Sequence, residues 1–100
     1  MDKVYLINYD WGRNGYGGYE VLAVTTADNV KECFKHFVDQ KKSESYLNDF
    51  FNADGALKDG VIDELEEYTD TDTSFMFATK DYEYYTELSI IEKPIWNGKE

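Results

Sequence analysis

One hundred residues, 42% of them hydrophobic and 17% aromatic, predict a single small folded domain and exclude a disordered chain. The formal net charge is −11, unevenly spread: residues 1–50 hold eight acids and six bases, residues 51–100 thirteen acids and four bases. With no basic patch to neutralise phosphates, direct nucleic-acid binding and attachment to anionic membranes are both disfavoured.

Cys33 is the only cysteine, so no intramolecular disulfide can form. There is no basic segment leading into an apolar run, and no stretch approaches the length of a membrane span. A cytoplasmic location in a reducing compartment is therefore expected.

In chain order, Val4–Tyr9 is rich in β-formers and predicts a first strand reaching as far as Trp11. Gly12-Arg-Asn-Gly-Tyr-Gly-Gly18 follows, with four glycines in seven positions. It lacks the Gly-Lys-Ser/Thr ending of a phosphate-cradling loop and leads into a strand. We expect a flexible hairpin loop longer than the tight two-residue type. Trp11, Arg13 and Tyr16 are residue types that anchor interfaces, which makes this loop a candidate contact. Tyr19–Thr25 returns as the second strand. Strict alternation puts Tyr19, Val21, Ala23 and Thr25 on one face and Glu20, Leu22 and Val24 on the other, as in a well-covered strand.

Val30, Cys33, Phe34, Phe37 and Val38 recur at helical spacing, with Thr26 or Asp28 available as a cap. His36 points away from that stripe, with Glu32 one turn before it. A lone imidazole of this kind reads as a surface residue. Cys33, on the stripe, reads as a small core hydrophobe. Tyr46, Leu47, Phe50 and Phe51 predict a short second helix capped by Ser43 and ended by Gly55. Neither glycine register around Asn52–Gly60 supplies calcium-loop ligands, so an EF-hand is rejected.

The segment from Asp59 to Asp72 holds seven carboxylates and no base. Read as a third helix, it puts Asp59, Asp63, Glu66, Glu67 and Asp70 within about 100° of arc, and Val61, Ile62, Leu65 and Tyr68 on the other side. Each like-charged pair at that spacing costs about 0.2–0.5 kcal/mol. Over the roughly 16 Å rise of such a helix, five charges approach the 3.4 Å phosphate spacing of one DNA strand. Phe75–Thr79 and Tyr84–Glu92 are further strands around a turn at Asp81–Glu83, and Pro94 stops the last one. Ile95-Trp96 is expected to fold back on the body, and a frayed tail to begin at about residue 97.

The predicted order β-β-α-α-α-β-β implies a single α+β domain over residues 1–100. Two or three helices would pack on one face of an antiparallel sheet of about four strands. No carboxylate pair is singled out by a nucleophile, an apolar pocket or a cofactor motif, so no catalytic, cofactor or metal site is assigned. In size and charge the chain resembles small acidic phage and mobile-element proteins that block host nucleic-acid enzymes. That likeness raises the expectation of a non-enzymatic inhibitor or adaptor of anti-defence type; the acidic row itself, Asp59, Asp63, Glu66, Glu67 and Asp70, is the expected contact, a nucleic-acid mimic on a partner's basic surface. An antitoxin- or immunity-type partner that caps a toxin through residues 11–18 is the alternative. A small enzyme or ligand-binding domain with its site on the sheet is a third.

Overall fold

A computed structural model describes residues 3–44 and 46–96; the expected tail from residue 97 lies outside them. Strand β1 (Lys3–Arg13), strand β2 (Tyr16–Thr25), helix α1 (Val30–Lys42) and strands β3 (Leu65–Asp70), β4 (Ser74–Thr79) and β5 (Tyr84–Pro94) follow in sequence. The strands form one sheet of order β2-β1-β5-β4-β3, every neighbouring pair antiparallel. Strands β1 and β5 run side by side without a break, from Lys3 opposite Pro94 to Arg13 opposite Tyr84. The expected four strands and two or three helices are thus corrected to five strands and, among the described residues, one α-helix. Short 3-10 turns at Asn48–Phe50, Val61–Glu64 and Lys80–Tyr82 complete the fold.

The long glycine loop is also corrected. Asn14 (φ 52°) and Gly15 (φ 87°) alone make the turn, the left-handed pair a tight two-residue hairpin requires. Both strands run up to it because the other glycines are strand positions, Gly12 and Gly18 each with a ring against them. A Cβ on Gly18 would lie 2.6 Å from the Trp11 indole, and one on Gly12 would collide with the Tyr85 ring. Further along β2 the alternation breaks. Val21 pairs with Asn8 and Ala23 with Ile7, so Leu22 is an extra residue that reverses the faces. Tyr19, Val21 and Val24 therefore share one face. Strand β2 is an edge rather than a well-covered strand, with Val21 and Val24 exposed.

Helix α1 forms where the periodicity places it, buries Phe34 and Val38, and packs Val30, Cys33 and Phe37 against the core. It starts after Asn29, whose side-chain amide donates to the Thr26 hydroxyl, so neither Thr26 nor Asp28 caps it directly. Ser43 closes α1 instead of opening a second helix: its N–H and Oγ both donate to the Gln40 carbonyl. Leu47 and Phe51 are buried as expected, yet only the Asn48–Phe50 turn is helical. The chain there must bend back on itself, and Asn52 N–H bonds the Ala56 carbonyl at 2.7 Å to close the loop.

The acidic helix does not exist. A 3-10 turn over Val61–Glu64 leads directly into β3, and Glu66 is a bulge residue between Leu65 and Glu67. Pairing with β4 satisfies the backbone and puts Glu67, across Ala78, and Asp70, across Phe75, on opposite faces, which spreads charge that a helix would concentrate. Tyr68 and Thr69 are β-formers. Ile62, assigned to the packed side, is 54% exposed, whereas Val61 and Leu65 are buried. Ile95 and Trp96 are exposed and do not fold back on the body.

The core lies on one face of the sheet. Ile7, Tyr9, Phe75, Phe77 and Leu88 meet Phe34 and Val38 of α1 and Leu47, Phe51 and Val61 of the segment after it. Tyr46 latches that segment to the sheet, its hydroxyl lying 2.9 Å from Thr86 Oγ1 and 3.1 Å from the Tyr9 hydroxyl. The opposite face, carrying Leu6, Asn8, Asp10, Tyr19, Val24, Tyr85, Glu87 and Ile91, has no layer over it among the described residues. Among the described residues no helix is long and apolar enough to cross a membrane.

Phe34 is 1% exposed at the centre of the helix–sheet contact. Phe34→Ala is expected to cost about 3–5 kcal/mol in denaturant unfolding, a large share of an ordinary domain's stability. An unchanged unfolding midpoint would contradict this packing.

Candidate functional site

The five acids expected in one row are dispersed. Asp59 and Asp63 are exposed before β3, and Glu66 and Glu67 lie at its start. Asp70 sits at the far end of β3, where Lys42 Nζ pairs with it at 2.6 Å and also donates to the Gly55 carbonyl. The Tyr68 hydroxyl donates to the same carboxylate at 2.9 Å. Burial first, and then this carboxylate, push the Tyr68 phenol well above its usual range.

Trp11, Arg13 and Tyr16 do not form a loop. Trp11 and Arg13 belong to β1 and are built into the helix side. The Arg13 guanidinium lies 3.7 Å from the Tyr46 ring centre and 4.8 Å from that of Trp11, and it donates to the Tyr9 hydroxyl at 3.4 Å. Burial pushes the Tyr46 phenol up to about 12. Of the three residues, only Tyr16, 79% exposed beside the turn, projects freely.

A different constellation gathers on the open face. Asp10 of β1 stands directly opposite Glu87 of β5. Tyr85, two pairs nearer the turns, lies over Gly12 and donates its hydroxyl to Asp10 at 3.3 Å. Glu67 enters from β3 across Ala78 and accepts the Tyr82 hydroxyl at 2.9 Å. Asp81 and Tyr82 both have positive φ, 61° and 54°, a conformation that side chains rarely adopt. Glu66 helps hold this tip by accepting the Asp81 N–H at 3.4 Å. Tyr19, beside Asp10 on β2, is 64% exposed and donates to Asn8 Oδ1 at 3.2 Å.

The electrostatics of this patch run one way. Burial first, and then the charges of Asp10 and Glu67, raise the Glu87 carboxyl above its ordinary value. Like charges directly opposite in a ladder are destabilising. The ion pairs of Lys35, Lys41 and Lys42 are made elsewhere, with Asp39, Glu44 and Asp70. Among the described residues no group of three or more His, Cys, Asp and Glu is arranged to hold a metal ion. Sequence reasoning put Glu87 within its last strand but did not single it out. The available signal was an acid inside each of two β-rich segments, Asp10 and Glu87, which is informative only once their register is known.

On the helix side, a recess of about 200 Å³ is bounded by Tyr46, Leu47, Phe50, Phe77, Tyr84 and Thr86. No carboxylate, imidazole, thiol or amine lines it. His36 is exposed at the far side of α1, with its ring edge-on to Phe37 at 4.9 Å.

A carboxyl raised in the folded state binds more protons folded than unfolded between its two pKa values. Its contribution to stability therefore falls as pH rises through that window, and at neutral pH it works against folding. Glu87→Gln is expected to stabilise the isolated protein at pH 7 by about 0.2–1 kcal/mol and to flatten the decline in stability above the ordinary glutamate range. Unfolding curves that are unchanged by the substitution at both pH 4 and pH 7 would contradict the repulsion. Comparison with protein-family models, curated proteins and solved structures finds no match to this chain.

Proposed function

We propose that this protein is a non-enzymatic binding module whose open sheet face takes a basic surface of another protein and so inhibits or recruits it. The observation that carries this reading is Asp10 facing Glu87, with Glu67 close enough to act on the same carboxyl. An arginine or lysine placed between these carboxylates would remove the repulsion and gain charge-assisted hydrogen bonds. Tyr19, Tyr82 and Tyr85 offer ring faces to the same cation. Tyrosine and arginine are also the residue types that concentrate binding energy at interfaces. Proteins that handle nucleic acid present basic surfaces of this kind, and the lone, half-buried Cys33 suits a cytoplasmic setting.

The site residues move accordingly. Glu67 is retained from the sequence-based set and Glu66 supports the tip, while Asp70 is occupied by Lys42. Imitation of evenly spaced phosphates is not part of this proposal. Same-face side chains on a strand are about 6.6–6.8 Å apart, roughly twice the phosphate rise of one DNA strand. Capping of a toxin through residues 11–18 would rest on Tyr16 alone, because Trp11 and Arg13 are packed.

The proposal is tested by comparing two triple variants of equal charge, Asp10→Asn/Glu67→Gln/Glu87→Gln and Asp59→Asn/Asp63→Asn/Asp72→Asn. Each is titrated with arginine-containing basic peptides and with proteins captured by the wild type from cell lysate. The first variant is expected to lose at least about tenfold in affinity, or 1.4 kcal/mol. The second should lose less, an amount that shrinks as salt screens it. Equal losses would show that net charge alone is responsible and would overturn the site.

A further inference from the structure

We infer that Arg13 and the apolar recess beside Tyr46 form a binding site for a small aromatic monocarboxylate, its ring in the recess and its carboxylate on the guanidinium. This site lies on the helix side and stands apart from the acidic open face. Arg13 is the only arginine in a chain of 21 acids and net charge −11. Lys3, Lys35, Lys41 and Lys42 pair with acids, yet Arg13 pairs with none among the described residues. It is half-buried against the Tyr46 and Trp11 rings and donates to the Tyr9 hydroxyl. Rings and hydroxyls hold a guanidinium in place without supplying its counter-charge. Its donors lie in the plane of the fork, so a face stacked on Tyr46 leaves edges for the two oxygens of a carboxylate.

Two tyrosines connect this cation to the recess. Tyr46, on which Arg13 stacks, is one wall, and Tyr84, directly opposite Arg13 in the β1–β5 ladder, is another. Leu47, Phe50 and Phe77 supply the rest of the apolar lining. The hydroxyls around it already have protein partners: Tyr46 with Thr86 and Tyr9, Tyr84 with the Asn14 amide, and Thr79 with the Tyr84 backbone. What remains is hydrocarbon surface, which an apolar group can cover and a polar one cannot without losing its hydration. An apolar cavity of about 150 Å³ accepts a benzene ring. At about 200 Å³, this recess suits one ring rather than a larger scaffold. Local charge selects the sign of the head group. Lys41 Nζ lies 3.9 Å from the Tyr9 ring centre, so Tyr9 is flanked by two cations, Arg13 and Lys41, against the one carboxylate of Glu44 that pairs with Lys41. Asp10, Glu67 and Glu87 belong to the other side of the sheet.

Hydrocinnamate, titrated into the wild-type chain to about 10 mM, a range suited to so small a ligand, should shift the NMR signals of Leu47, Phe77 and Thr86. The neutral amide hydrocinnamamide and the ringless acid propanoate should each bind at least about tenfold more weakly. Arg13→Gln, folded by circular dichroism, should lose about tenfold in affinity. Lys35→Gln, which removes an equal charge from the outer face of α1, should bind as the wild type does. No shift at the three recess signals overturns the inference. So does an amide that binds as tightly as the acid, a comparison made on the unaltered protein and independent of whether Arg13→Gln folds. Equal losses in Arg13→Gln and Lys35→Gln, or shifts centred on Lys31 and Lys35, would reduce the effect to attraction of an anion by exposed lysines and overturn it as well.

Discussion

The segment between β2 and β3 crosses from one edge of the sheet to the other and supplies the only layer over it among the described residues. Helix α1 covers the β1 side with Phe34 and Val38, and Leu47, Phe51 and Val61 carry the cover towards β3. A chain of this length has material for one such layer. No described element covers the second face of the five-stranded sheet, and its side chains must suit water or a partner. The acid–tyrosine patch, the exposed valines of β2 and the buried phenylalanines beneath α1 all follow from that allocation.

The aromatic content has two separate uses. On the covered face, rings of Phe51, Phe75 and Phe77 pack with centroids about 6 Å apart, where their area drives folding. On the open face, Tyr82 and Tyr85 lie beside carboxylates and direct their hydroxyls at them. Phenols orient Asp10 and Glu67 without neutralising them. An ion pair at the same places would silence the charge; a neutral donor fixes the geometry and leaves the charge available.

How much of this was legible in the sequence depends on whether local pattern or long-range pairing decides the element. Helix α1 declares itself through a 3.6-residue apolar period, and β1, β4 and β5 through β-rich runs. The hairpin was misread because four glycines were taken together as flexibility. Only Asn14-Gly15 turns the chain, and Gly12 and Gly18 make room for the rings of Tyr85 and Trp11, which no local rule reveals. The acidic segment satisfied a helical template by the spacing of its charges, while its backbone was claimed by β4. The binding patch was the least legible feature. Asp10 and Glu87 are 77 positions apart and become neighbours only through the β1–β5 register.

That register also gives the molecule a direction. Lys3 lies opposite Pro94, so both described ends of the chain leave the sheet side by side at one pole. The hairpin at Asn14–Gly15 and the strained tip at Asp81–Tyr82 lie at the other pole, and Asp10 and Glu87 sit towards it, some 20–25 Å along the strands from the ends. Anything tethered at either terminus, such as a surface, a fluorophore or a fused protein, would therefore stand clear of the acidic pole. Tension applied between the two ends would load the first rung of the central ladder and peel β1 from β5 rung by rung, rather than shearing all rungs together. The protein is thus laid out with a handle at one end and its chemistry towards the other.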